Sequence, residues 1–99
     1  IQMWIMLEEV IMEKIRIDLV RLKTEEDALK RFGRLKGMPA DYNSELEELH
    51  GILQAWDKPL KIEIVIGGNI GPFTKLMEML ENVRTTNNNL LFVVIMYMA

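Results

Sequence analysis

The nine residues Leu90-Leu91-Phe92-Val93-Val94-Ile95-Met96-Tyr97-Met98 carry no charge. A run of this length falls well short of the ~20 residues a membrane helix needs, and it lacks the polar alternation of a strand with one wet face. It suits a strand buried on both faces, and such strands belong to parallel sheets covered by helices. The rest of the chain must therefore supply parallel neighbours, crossover helices and something to cover the second face.

Those parts can be read in order. Lys14–Leu22 sets Ile15, Ile17 and Leu19 inward against Arg16 and Asp18 outward, the period-two pattern of a half-buried strand. Thr24 followed by Glu25, Glu26 and Asp27 is a helix start, with a hydroxyl cap and acids in the first turn. Ala28, Leu29, Phe32 and Leu35 make the buried stripe, and Gly37 supplies a terminator. Lys30, Arg31, Arg34 and Lys36 fall on the wet face, where they complement the helix dipole.

Pro39 opens a loop, and Ser44 with Glu47 forms a Ser-x-x-Glu capping box ahead of a second helix. Leu46, Leu49, Leu53 and Trp56 stripe that helix, with Glu45, Glu47 and Glu48 pointing away. Pro59 delivers the chain into the strand Leu60–Ile66, whose Leu60, Ile62, Ile64 and Ile66 face inward while Lys61, Glu63 and Val65 make a wet face. Gly67-Gly68-Asn69-Ile70-Gly71 then leads to Pro72 and a third helix striped by Phe73, Leu76, Met77, Leu80 and Val83, closed by Arg84. A polar turn, Thr85 to Asn89, precedes the apolar run.

The order strand, helix, helix, strand, helix, strand implies an α/β fold with a small three-stranded parallel sheet and right-handed helical crossovers. Residues 14–99 form this domain. Residues 1–13 are an extra apolar segment: with Glu8, Glu9, Val10, Ile11, Met12 and Glu13 it fits an amphipathic helix, although Ile1, Met3, Ile5 and Leu7 also alternate as a strand would. The segment has no basic start of a signal peptide, and its role is to cover the sheet or to dock another copy, covering being the better fit.

Composition excludes several functions. The chain has no cysteine, so disulfides, thiolate metal sites and cysteine nucleophiles are out, and a reducing, cytoplasmic setting is expected. A net charge of −3 argues against a dedicated nucleic-acid binder, and no membrane span is expected. The charge is also uneven. Residues 21–37 set six cations against three acids, a balance of +3, whereas residues 38–63 set two against six, a balance of −4. The acid is concentrated between Tyr42 and Trp56, where it is either a solvated helix face or a surface that steers a basic partner.

Catalytic chemistry is thin. Ser44 and His50 are the chain's single serine and single histidine, and Ser44 has the cap role. His50 lacks a second histidine or a cysteine to share a metal. Glu47 and Glu48 diverge as helix neighbours, so they make a poor acid/base pair. The Gly67–Gly71 loop has no phosphate-binding fingerprint and reads as a tight strand-to-helix connection. Trp4, Trp56 and the eight methionines read as core filling. No enzyme activity, cofactor or metal is expected.

One pattern adds a family expectation. Pro39, Tyr42, Leu46, Glu47, Leu49, Leu53, Trp56, Pro59 and Leu60 occur in an order and spacing that resembles the core of the barstar family, intracellular protein inhibitors of ribonuclease. The likeness in element order spans roughly residues 14 to 97. It implies an immunity-type inhibitor whose tyrosine loop and following helix plug a ribonuclease active site, with acids in place of RNA phosphates. Tyr42, Glu47 and Trp56 match family positions in or beside that surface. Asn43 stands where the family has a glycine, His50 where it has a tryptophan, and Gly51 where it has the aspartate that enters the phosphate site. Glu81 corresponds to an acid on the last helix. With the neighbouring Glu45 and Glu48, these residues make the expected partner-binding set, and the expected partner is a small basic ribonuclease or other toxin met by a monomer or weak homo-oligomer. The alternative is a structural or designed domain of the same topology with no toxin partner, self-associating through residues 1–13.

Overall fold

The computed structural model describes residues 12–97. Three parallel strands, β1 (Glu13–Asp18), β2 (Leu60–Ile66) and β3 (Leu90–Met96), lie side by side in chain order. Helices α1 (Glu25–Phe32) and α2 (Leu46–Gln54) connect β1 to β2, and α3 (Thr74–Thr86), entered through a 3-10 turn at Gly71–Phe73, connects β2 to β3. The chain is thus a small α/β fold with a three-stranded parallel sheet and helical crossovers. The expected extra segment lies outside the described residues as far as Ile11, and Glu13 at its end already belongs to β1.

Both connections step in the same direction across the sheet, and right-handed crossovers then put the three described helices on one face. The core bears this out. Register aligns Ile17 with Ile64, and Ile62 with Phe92, so these side chains share a face. Against that face pack Ala28, Leu29 and Phe32 of α1, Leu49 and Leu53 of α2, and Leu76, Leu80 and Val83 of α3. The opposite face was expected to be wet. Val65 is instead buried, and Glu63 is largely shielded where it gathers Arg16 at 3.4 Å, Lys61 at 3.7 Å and Lys14 at 3.9 Å.

Three elements differ from the sequence expectation. β1 stops at Asp18 because its Oδ1 accepts from the Val20 N–H at 3.0 Å, turning the chain four residues before Leu22. α1 begins as expected, with Thr24 Oγ1 accepting from the Asp27 N–H at 3.2 Å, but it ends at Phe32 rather than near Gly37. The chain there tightens into i to i+3 bonds that bring Leu35 into the core, and Gly37, at φ +91°, turns it away only later. β3 is not buried on both faces: Leu91, Val94 and Met96 are exposed. It ends the sheet among the described residues, and core packing reaches Leu90 and Phe92 but not the far end of the strand.

Asn87 is the one buried polar residue among those described. It follows α3, and its Nδ2 donates to the carbonyls of Leu53, in the last turn of α2, and of Trp56, just past its end, at 2.9 Å each. Its Oδ1 accepts from the Asn89 N–H at 3.0 Å, and the Asn89 carbonyl in turn accepts from Leu60 N–H at 3.0 Å. One side chain therefore ties the end of α2 to the starts of β2 and β3. Asn87→Ala should cost about 2–3 kcal/mol in urea denaturation, because it removes three bonds at a buried junction, those to the Leu53 and Trp56 carbonyls and that from the Asn89 N–H. A loss below about 0.5 kcal/mol, the size of an ordinary surface substitution, would show that water replaces the amide.

Candidate partner-binding face

The loop from Met38 to Ser44 and the helix that follows are built as one unit. The Tyr42 N–H donates to the Pro39 carbonyl at 3.1 Å, and the Tyr42 hydroxyl donates to the Leu29 carbonyl of α1 at 2.9 Å. Next to it, the Asn43 N–H donates to Glu48 Oε1 at 2.9 Å. Ser44 takes φ +62°, a left-handed conformation that costs a non-glycine residue about 1 kcal/mol. The expected Ser44–Glu47 capping box is therefore absent. Glu45 holds the N-cap position without a side-chain cap bond, and the reach-back is made by Glu48 to Asn43 instead.

The expected site residues separate into three groups. Tyr42, Asn43 and Glu48 form the loop-to-helix junction just described, so the Tyr42 hydroxyl and one Glu48 oxygen are already engaged. Glu45 and Glu47 stand exposed at the start of α2, beside the exposed Asp41 of the loop. His50 and Gly51 share a helical face with Glu47, one turn further on. His50 Nε2 lies 2.9 Å from Asn82 Oδ1 of α3, and Gln54 Nε2 reaches the same oxygen at 3.4 Å. Asn82, which carried no sequence signal, thus links the exposed faces of α2 and α3. Around Gly51 the space is open, with nothing within 4 Å of where a Cβ would stand.

Glu81 sits beside Asn82 on that neighbouring face and is paired with Arg84, whose hydrogen bonds hold its carboxyl below the usual range. Trp56 is apart from the others. Its ring is buried, its carbonyl accepts from Asn87 and Asn89, and its indole Nε1 is buried without a partner. It backs a cleft of about 300 Å³ with Gly37, Pro39, Ile52 and Lys58, beneath the loop.

The helix that follows the glycine loop has one of its first amides taken by the protein itself. At the start of α3, the Leu76 N–H donates to Glu25 Oε2 at 3.2 Å, so a carboxylate from α1 holds an amide that an anion would use. Among the described residues no group of three or more His, Cys, Asp or Glu side chains could hold a metal ion, and no helix is long and apolar enough to cross a membrane. A scan against protein-family models gives no match, and a search of curated proteins gives none.

Burial, with the negative charge of Glu48 beside it, pushes the Tyr42 phenol from 10.0 up to about 12. The folded chain keeps a proton that the unfolded chain releases above pH 10, so this residue makes stability fall as pH rises from 10 to 12. Tyr42→Phe should lose about 1 kcal/mol at neutral pH with the Leu29 bond and should decline less steeply than wild type over that alkaline range. Parallel alkaline slopes in the two proteins, by urea denaturation at each pH, would contradict the burial of the phenol.

Proposed function

We propose that this protein is an inhibitor that binds a small basic ribonuclease or a similar basic toxin, laying its acidic loop and helix across the partner's active site, and that it does so without enzyme activity of its own in the cytoplasm. The observation that carries the proposal is the division of labour among the acids. Glu48 orders the loop, which leaves Asp41, Glu45 and Glu47 exposed on an ordered surface with no cation within 4 Å of them among the described residues. Carboxylates carried on a backbone held in that way present negative charge to the arginines and lysines of a nuclease, at a lower ordering cost than a flexible loop would. The barstar-like spacing around Tyr42 and Trp56 supports the same partner class.

Titration calorimetry into a small basic guanyl-specific ribonuclease, with enzyme activity followed in parallel, tests the proposal. Stoichiometric inhibition that weakens between low salt and ~0.5 M is expected, and Glu47→Lys should slow association by tenfold or more at low salt, on the order of what steering contributes. Gly51→Asp adds a carboxylate in open space at the position where the barstar pattern has one, and should tighten the complex. Unchanged rate and affinity in Glu47→Lys would remove the acidic face from the interface, and absence of any inhibition by either form would overturn the proposal.

A further inference from the structure

The two edges of the sheet are unlike. β1 carries Glu13, Lys14, Arg16 and Asp18 in six residues, the charge with which natural sheets keep an edge from pairing. β3, the other edge among the described residues, carries no charge from Leu90 to Met96. Its side chains are also open: Leu91 is 49% exposed, Val94 52%, Met96 61% and the following Tyr97 55%.

The backbone of that edge can be resolved residue by residue. Tyr97 N–H donates to Ile66, and the Asn89 carbonyl accepts from Leu60, so odd-numbered residues turn their peptide groups toward β2. By alternation, Phe92, Val94 and Met96 turn theirs outward. An antiparallel strand pairs such an edge through residues whose groups face each other. A two-fold axis at Val93 satisfies this requirement, setting Phe92 opposite Val94 of a second copy, and Leu90 opposite Met96. The same register places Leu91 opposite Ile95 and Val93 opposite itself on the far face, so apolar residues meet apolar residues at every rung and no charge is buried.

We infer that β3 is a self-association edge, at which two copies of this chain join antiparallel about Val93 into one continuous six-stranded sheet. A second copy is the occupant the edge fits because an isologous antiparallel pairing, that about Val93 placing the strand centres together, matches both its outward backbone groups and its side chains. This inference stands apart from the inhibitor proposal, since it uses neither α2 nor the loop.

Sedimentation of the full chain from about 1 to 300 μM should show mass rising from 11.6 kDa toward twice that value. Val94→Lys, at an exposed position, should weaken the dimer about 100-fold or more while leaving the circular dichroism unchanged. The register has its own test, because the chain has no cysteine. Val93→Cys places two thiols across a non-hydrogen-bonded pair about 4.5 Å apart at Cα, within disulfide reach, and should cross-link under copper-phenanthroline far faster than Lys75→Cys on the exposed side of α3. A chain that stays monomeric at 300 μM overturns the inference. So does cross-linking of Val93→Cys no faster than of Lys75→Cys, or a monomer whose Phe92 and Val94 amides resist hydrogen exchange because residues 1–11 of the same chain take the edge.

Discussion

Asn87 is the interaction on which the placement of the other elements depends. A parallel sheet with its three described helices on one face brings the end of α2 against the starts of β2 and β3, and carbonyls at and just past that end lose water there. One amide side chain adds a donor to both the Leu53 and the Trp56 carbonyls, each bond contributing on the order of 1 kcal/mol. Because its oxygen also holds Asn89, the same residue sets where β3 begins. Asn89 then extends the tie, with its carbonyl on the Leu60 N–H and its own amide on the Trp56 carbonyl at 3.2 Å.

At the other end of α2 the fixing is done by a tyrosine and a glutamate. Tyr42 closes the loop onto a carbonyl in the last turn of α1, and Glu48 closes it onto α2 by taking an N–H just ahead of that helix. α2 is therefore held at its last turn by Asn87 and at its first by the loop. The exposed Glu45 and Glu47 sit on a helix that is tied down at both ends, and pre-organisation of this kind lowers the cost of presenting charge to a partner. The partly engaged residues, Tyr42 and Glu48, contribute shape to that surface more than free polar groups.

Local signals in the sequence were reliable where one residue acts on its own neighbours. Period-two alternation located Leu60–Ile66 at its observed ends, and Thr24 with three following acids marked the start of α1. The misplacements come where a side chain takes a partner other than the one its spacing suggests. Ser44 and Glu47 have the spacing of a capping box, yet Glu48 serves Asn43 and Ser44 takes a left-handed turn. Asp18 alternates outward as a strand residue should, and its carboxylate then ends the strand. An apolar run such as Leu90–Met98 has the same composition whether it is covered on both faces or lies at a sheet edge, so periodicity cannot separate the two. In the site, the concentration of acid around α2 was legible as composition. The meeting of His50 with Asn82, and the burial that commits the Tyr42 hydroxyl, are products of packing between elements far apart in the chain.

The central claim is that α2 is held at both ends and moves only with the core. Native-state hydrogen exchange tests it most directly, by comparing the Leu49 and Leu53 amides of α2 with the Ile62 and Ile64 amides of β2. Equal opening free energies, matching global unfolding, are the predicted result. Exchange of the α2 amides through a local opening several kcal/mol easier than that of β2 would contradict it, and would mean that Asn87 and Glu48 do not fasten the acidic helix to the sheet.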